Sequence, residues 1–212
     1  MTDIWAFVAA ERGALADDLA LIPAADWDLT SLCPGWTIRD VVAHLTASSR
    51  VTPGRIFTSW VSHGFNVRAT MLDGMAQAAG ESPAQTLENF RAIQHVRRSI
   101  PGREVGVLGE ILVHAEDIRR PLGLRRAYPH EALRLVADAF AKSTFPVGGK
   151  ARVAGLALAA TDDDWRHGTG HLVQGPLASL LLAIAGRPAA LAELTGDGVA
   201  HLATSATPGV TS

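Results

Sequence analysis

Glu110 and His114 lie four residues apart in a segment that is otherwise nearly all apolar. In a helix, residues four apart project from one face with their Cβ atoms about 5–6 Å apart. A carboxylate and an imidazole at this spacing can bind one divalent metal ion, as the two histidines of an HExxH helix do. A carboxylate in apolar surroundings also needs a partner, because burying it unpaired is costly. The spacing therefore indicates a metal site.

His44 is the third candidate ligand. It is flanked by Val41, Val42 and Leu45, and its helix could lie antiparallel beside the Glu110 helix in a bundle. Two imidazoles and one carboxylate leave a coordination position open, as in catalytic zinc sites. The same donor set also describes non-haem Fe(II) enzymes, so zinc is favoured without excluding iron. A hydrogen-bonded core histidine is the alternative interpretation of His44.

Two aspartates stand one turn from these candidate ligands. Asp117 could hold the second ring nitrogen of His114, or could pair with Arg120, and the sequence leaves both open. Asp40 precedes His44 by one turn, and with Thr37 it forms a capping-box pattern. For Asp40 we favour the capping role.

The single cysteine, Cys33, is interpreted as a small buried thiol, since no histidine base is nearby in sequence. A nucleophilic role is the alternative. The other histidines stand next to polar or loop residues and are interpreted as surface residues: His63, His95, His130, His167, His171 and His201.

Helices must position these side chains, and the apolar periodicity predicts several. The first covers about Thr2 to Ile22, with Glu11, Arg12, Asp17 and Asp18 between its apolar residues. Turn and capping signals predict the rest: a helix starting near Ile38, one from Pro83 to about Ser99, a buried one carrying Glu110 and His114, and one from Pro129 to Lys142.

The periodicity changes beyond a linker-like stretch at Phe145 to Gly149. A strand is predicted over about residues 152–159, and a hairpin returns through Trp165 to Val173. Apolar helices follow over 177–185 and 189–194. We therefore predict an α+β fold, with a helical bundle at 1–145, a small mixed α/β module at 150–203 and a tail at 204–212.

Composition narrows the function further. The net charge of −2 and pI near 6.4 argue against a nucleic-acid binder, which needs a clustered positive face. No apolar run is long enough to cross a membrane, and the start of the chain does not resemble a signal peptide. A single cysteine fits a reducing compartment, so we predict a cytoplasmic protein with small-molecule partners, either a monomer or a homodimer.

Three sequence blocks resemble a known family. Residues 32–45 (LCPGWTIRDVVAHL) are similar to the first metal-ligand helix of the mycothiol-dependent maleylpyruvate isomerase family, a branch of the DinB-like bundles. Residues 110–123 (EILVHAEDIRRPLG) resemble its second ligand helix. Short motifs at 162–165, 175–176, 186–188 and 194–198 are similar to its small, sterol-carrier-like C-terminal domain.

This resemblance implies a DinB-like four-helix bundle with a divalent metal, usually zinc, on His44, Glu110 and His114, and mycothiol as the thiol cofactor. In such enzymes a metal-stabilised thiolate adds to a cis double bond, permits rotation, and leaves to give the trans product. A dicarboxylate substrate would need a cation, and Arg68 is the candidate, with a surface arginine as the alternative.

The sequence leaves three functions open. The favoured one is a metal- and mycothiol-dependent isomerase or S-transferase acting on a small electrophilic substrate. A non-catalytic module that binds metal and ligand is the second. A metal-dependent hydrolase is the third, but it needs a general base, and Glu116 points away from the ligand face of its helix.

Overall fold

The structure, a computed structural model, describes residues 2–50 and 67–205, with the side chains of 67–71 and 205 outside the description. The chain forms two compact units, Met1–Arg125 and Arg126–Ser212. The helices described in the first unit are α1 (Ile4–Leu21), α2 (Ile38–Arg50), α3 (Val67–Ala79), α4 (Pro83–Arg91) and α5 (Glu104–Arg119), with a 3₁₀ helix at Ala24–Asp28.

α1 begins where the Asp3 carboxylate accepts hydrogen bonds from the backbone N–H groups of Trp5 and Ala6. This satisfies donors that the first turn leaves open. Its buried face includes Glu11 and Arg12 as well as apolar residues. The sequence placed both residues between the apolar positions of an amphipathic helix, but in the structure they are buried, because the bundle supplies partners that offset the burial of charge.

α2 begins at Ile38, as predicted. The Asp40 carboxylate accepts from the backbone N–H of Thr37 at 2.9 Å, and the Thr37 hydroxyl accepts from the backbone N–H of Asp40 at 3.1 Å. This reciprocal pair is a capping box. The capping role of Asp40 is confirmed.

α4 ends at Arg91, whereas the sequence predicted a helix to about Ser99. The Arg12 guanidinium donates to the carbonyls of Ile93 and Val96 at 2.9 and 3.0 Å. These carbonyls lie in the turns that follow α4 and are satisfied by a side chain from another helix. The early end of α4 is therefore a tertiary effect, with no local sequence signal.

The first unit is held by packing between its helices. α2 packs against α3, α4 and α5, and α1 packs against α4 and α5. Burying an aliphatic or aromatic side chain contributes about 1.5–3 kcal/mol. The largest apolar side chains that are almost fully buried in this unit are Leu15, Leu19, Ile38, Phe90, Ile93, Leu108, Ile111, Leu112 and Ile118.

The second unit combines helices with a small sheet. Its elements are α6 (His130–Lys142), α7 (Gly149–Arg152), β1 (Leu156–Ala160), β2 (Arg166–Gly168), β3 (His171–Gly175), α8 (Leu177–Ile184), a 3₁₀ helix (Pro188–Glu193) and α9 (Val199–Ser205). With the helical first unit, this mixed unit confirms the predicted α+β class.

The sheet order is β2-β1-β3. Leu158 pairs with His167 of antiparallel β2 and with Val173 of parallel β3. The predicted hairpin is therefore correct only for β2, since β3 lies on the other edge of β1. Alternating apolar residues mark a strand but do not reveal which edge its neighbour occupies.

α6 belongs to the second unit, whereas the predicted boundaries at 145 and 150 placed it in the first. α6 packs against α7 and α8, and Asp138 on it accepts a 3.0 Å hydrogen bond from the Trp165 indole. The segment that resembled a linker is a short loop, closed by a bond from the Lys150 N–H to the Ser143 carbonyl. In the described part of the chain, no helix is both long and apolar enough to cross a bilayer.

Candidate metal centre

The structure brings His44, Glu110 and His114 together within the first unit. His44 Nε2 lies 3.2 Å from Glu110 Oε1. The rings of His44 and His114 approach edge to face, with their centroids 5.1 Å apart. Two side chains from α5 and one from α2 therefore meet at one place.

Helix geometry and packing explain this convergence. Glu110 and His114 share one face of α5 because they are four residues apart. The neighbouring residues Leu108, Ile111 and Leu112 are buried, which fixes the rotation of α5 about its axis. α2 packs directly on α5 and brings His44 against this face.

One donor-atom distance and one ring distance are compatible with a shared metal ion. With metal–ligand bonds of about 2.0–2.2 Å, two donors on a tetrahedral ion lie about 3.4 Å apart, and two imidazole centroids about 5 Å apart. The observed 3.2 and 5.1 Å agree with both values. Two imidazoles and one carboxylate also suit zinc and other divalent metals.

The charge at Glu110 suits a cation. Burial raises the pKa of Glu110, but the hydrogen bond and charge of His44, the charge of His114 and a hydrogen bond from Ser48 together bring that pKa below its usual value. Glu110 is therefore a carboxylate. Burial lowers the pKa of nearby Arg12, and the Glu110 charge partly opposes this.

The three side chains are neither sealed nor fully exposed. The exposed fractions are 19% for His44, 27% for Glu110 and 15% for His114. A small molecule can therefore reach the site, as an open coordination position requires. The indole of Trp36 lies beside His44, with ring centroids 5.1 Å apart, and packs against an apolar cluster that includes Met75.

Asp117 lies behind His114. Its Oδ2 is 2.9 Å from His114 Nδ1, while Arg120 pairs with Glu116 at 2.9 Å. Of the two alternatives left open by the sequence, Asp117 therefore holds the ring nitrogen. A carboxylate in this position orients a metal-ligating histidine and fixes which nitrogen remains free.

Cys33 is buried, as predicted. Its Sγ lies 3.1 Å from Asp117 Oδ2 and 3.6 Å from His114 Nδ1, although 81 residues separate Cys33 from His114. Sequence proximity therefore failed to reveal its histidine neighbour. Among the described residues, the donor atoms of Cys33, His114 and Asp117 all lie within 4.8 Å of one another, whereas those of His44, Glu110 and His114 do not.

The other predicted positions are less informative. The side chain of Arg68, on α3, lies outside the described residues, as does His63. His95, His130, His171 and His201 lie at the surface, as predicted, and His167 is half-buried against the Trp165 ring.

Sequence reasoning missed Arg12 and Trp36. Arg12 had a usable signal, since with Val8, Leu15 and Leu19 it follows the spacing of one helix face. For Trp36, only its place before the first ligand helix pointed to the site.

Comparison with known proteins supports the resemblance. Residues 8–104 match the family model of the mycothiol maleylpyruvate isomerase N-terminal domain. This match includes His44 and ends before Glu110 and His114. None of the curated proteins matches the sequence.

Two solved structures share the fold. They are a crystal structure of the mycothiol-dependent maleylpyruvate isomerase, at 17% identity, and one of a histidine-to-alanine mutant of that enzyme, at 16%. Each gives a TM-score of 0.64, covering 92% of this chain and 91% of the solved one. The family resemblance and the predicted fold class are confirmed, and the prediction of an enzyme agrees with both kinds of match.

Proposed function

We propose a metal- and thiol-dependent enzyme, because residues 8–104 match the family model of the mycothiol maleylpyruvate isomerase N-terminal domain. His44, Glu110 and His114 hold a divalent metal, with zinc the first candidate. The reaction is an isomerisation or an S-transfer on a small electrophilic substrate, with mycothiol as the thiol. The observation that supports the proposal is the convergence of these three side chains in one partly buried place.

The metal supplies Lewis-acid stabilisation of a bound thiolate at neutral pH. The protein supplies the rest. Glu110 contributes one negative charge, so that a divalent ion keeps a net positive charge towards an incoming anion. His44 and His114 contribute imidazole nitrogens, and the Trp36 indole beside His44 gives the site an apolar wall.

The reacting thiol comes from outside the chain. Cys33 lies behind His114 and donates its S–H to Asp117, so this thiol serves as a hydrogen-bond donor in the structure. It is buried, unlike a nucleophile that must meet a substrate. A low-molecular-weight thiol can approach through the partly exposed side of the three ligands.

Metal binding is the first test. The metal-free protein is titrated with Zn²⁺ against a chelating indicator, in wild type, His44→Ala and His171→Ala. We expect one equivalent in wild type and in His171→Ala, and a loss of at least about 100-fold in affinity in His44→Ala. Equal binding by all three proteins would refute the site.

Thiol dependence is the second test. Turnover of maleylpyruvate is measured with mycothiol, with a simpler thiol and without thiol, in the zinc-loaded protein. We expect turnover only when a thiol is present. If maleylpyruvate is inert, thiol conjugation of small electrophiles tests the S-transferase alternative, and turnover without any thiol would contradict the proposal.

The competing functions have less support. A hydrolase needs a general base at the open position, and Glu116 is engaged by Arg120 on another face of α5. A non-catalytic module would favour a closed, four-ligand site. Metal-edge spectroscopy that finds no exchangeable water on bound metal would favour that alternative. A cytoplasmic location and a substrate-binding role for Arg68 remain predictions.

A further inference from the structure

The loop before α2 places Cys33 against α5. Cys33, Pro34, Gly35 and Trp36 form a tight turn in which the Trp36 N–H donates to the Cys33 carbonyl at 3.0 Å. Gly35 has φ of +77°, the conformation required at the third position of a type II turn. The Leu32 N–H donates to the Asp117 backbone carbonyl at 3.0 Å, so the loop is anchored on α5 itself.

One carboxylate oxygen of Asp117 lies within hydrogen-bond distance of both Cys33 and His114. Oδ2 of Asp117 lies 2.9 Å from His114 Nδ1 and 3.1 Å from Cys33 Sγ. The Asp117 side chain has no exposed surface, so water does not compete for this oxygen. The thiol of Cys33 and the imidazole of His114 therefore share one buried hydrogen-bond acceptor.

These distances describe hydrogen bonds better than a second metal site. Donors on a tetrahedral ion lie about 3.4 Å apart, and further for sulfur. The 2.9 Å between His114 Nδ1 and Asp117 Oδ2 and the 3.1 Å that involves the larger Cys33 Sγ fall further below these values than the 3.2 Å between His44 and Glu110. We therefore interpret Cys33 and Asp117 as residues that hold the His114 side chain in place.

We infer that Asp117 and Cys33 are positioning residues that set the tautomer of His114. Asp117 holds the proton on Nδ1, which leaves the lone pair on Nε2 for the metal. The Cys33 S–H holds the carboxylate in the orientation that accepts from Nδ1. The effect on metal affinity rests on the proposed function. The tautomer itself can be measured in the metal-free protein.

The first experiment reads the tautomer directly. Two-bond ¹⁵N–¹H correlation spectra of ¹⁵N-histidine-labelled, metal-free protein are recorded at about pH 8.5, where ordinary imidazoles are neutral. We expect the Nδ1–H tautomer for His114 in wild type and a mixture in Asp117→Ala and Asp117→Asn. An Nε2–H tautomer in wild type, or an unchanged tautomer in both variants, would overturn the inference.

The second experiment measures Zn²⁺ affinity in the same variants. Loss of such a supporting carboxylate lowers metal affinity by about 10–100-fold. Asp138→Asn is the matched control, since it makes the same chemical change in the second unit, and we expect no effect there. Asp117→Asn keeps the side-chain volume, so it serves if Asp117→Ala does not fold.

Cys33 has the smaller role. Cys33→Ala should lower Zn²⁺ affinity by about two- to tenfold, the scale of one ordinary hydrogen bond because the thiol is a weak donor. Cys33→Ser should recover part of the affinity because a hydroxyl also donates. Cd²⁺ titration examines the competing interpretation. A second equivalent of Cd²⁺ with a thiolate absorption band that disappears in Cys33→Ser would establish a second metal site and reject the positioning role.

The two hypotheses can fail separately. If wild type binds no metal but His114 shows the Asp117-dependent Nδ1–H tautomer, the proposed function fails and the positioning role stands. If wild type binds metal and neither Asp117 variant changes affinity or tautomer, the positioning role fails alone.

Discussion

The two units use histidine and carboxylate side chains in different ways. In the first, His44, Glu110 and His114 meet in a partly buried place, with Asp117 fully buried behind them. In the second, His130 pairs with Asp163 at 2.6 Å and His171 with Asp197 at 2.8 Å, with both histidines exposed. The pair distances are alike, so distance alone does not make a metal centre. The candidate site in the first unit differs from these pairs in that several donors converge at limited exposure.

The largest expected effect is the loss of thermal stability when metal is removed, and it should depend on residues of the first unit only. At a free Zn²⁺ concentration 100 times the Kd, binding stabilises the folded state by about 2.7 kcal/mol, or about 5–10 °C in Tm for a chain of this size. A chelator should remove this shift in wild type and in Asp197→Asn. Glu110→Gln should show little shift even with Zn²⁺ present.

Differential scanning fluorimetry checks this prediction, with and without chelator. The comparison between units would fail if Asp197→Asn lost the Zn²⁺-dependent shift and Glu110→Gln kept it.

Each unit also has an arginine whose side chain donates hydrogen bonds to two backbone carbonyls. Arg12 donates to Ile93 and Val96, and Arg152 donates to Val147 and Ile184. Burial lowers the pKa of both. The Glu110 charge opposes this shift at Arg12, whereas the Arg187 charge adds to it at Arg152.

Replacing either arginine should destabilise its unit. Arg12→Met and Arg152→Met each remove two hydrogen bonds to backbone carbonyls, at about 1–3 kcal/mol per variant. Only Arg12→Met removes a positive charge near the metal ligands, so it should raise Zn²⁺ affinity by about tenfold or less. Urea unfolding and Zn²⁺ titration measure the two effects, and a change in Zn²⁺ affinity in Arg152→Met would contradict the assignment.

A smaller effect concerns the loop that carries Cys33. Gly35 and Gly102 both have φ of +77°, and a Cβ on either would meet nothing within 4 Å. An alanine at either position should therefore cost about 1 kcal/mol from backbone conformation alone. Gly35→Ala should also lower Zn²⁺ affinity slightly by moving Cys33, whereas Gly102→Ala should not.

Urea midpoints and Zn²⁺ titrations of the two glycine variants supply a matched pair. Equal affinities at equal loss of stability would show that the Cys33 loop is only structural.

The smallest effect is the acid sensitivity of the second unit. The hydrogen bond from Arg134 chiefly lowers the pKa of Asp163, burial opposes it, and His130 and the Trp165 N–H lower it further. Because this pKa is lower in the folded state, the stabilisation is present above about pH 4 and is lost as the pH falls through the folded value.

Asp163→Asn should therefore flatten the acid side of the stability curve, measured as urea midpoints between pH 6 and 2.5. Asp17→Asn, an exposed aspartate on α1, is the control and should leave the curve unchanged. If the wild-type protein and Asp163→Asn lost stability equally steeply in acid, the predicted contribution of Asp163 would be wrong.

Local sequence determined the main elements and the identity of the proposed ligands. The four-residue spacing of Glu110 and His114, the capping box at Thr37 and Asp40, and the turn at Pro34 and Gly35 are local signals, and the structure has each as predicted. Such features depend on backbone geometry over one or two turns, so they can be predicted without knowledge of distant residues.

Only the tertiary structure decided which residues contact the proposed ligands from distant parts of the chain, and where several helices and strands end or pair. Cys33 meets His114 across 81 residues, Arg12 satisfies the turns after α4, and β3 pairs on the opposite edge of β1 from β2. These contacts join segments far apart in the chain. Their partners are selected by packing and by the need to satisfy buried polar groups, and neither is encoded within any single segment.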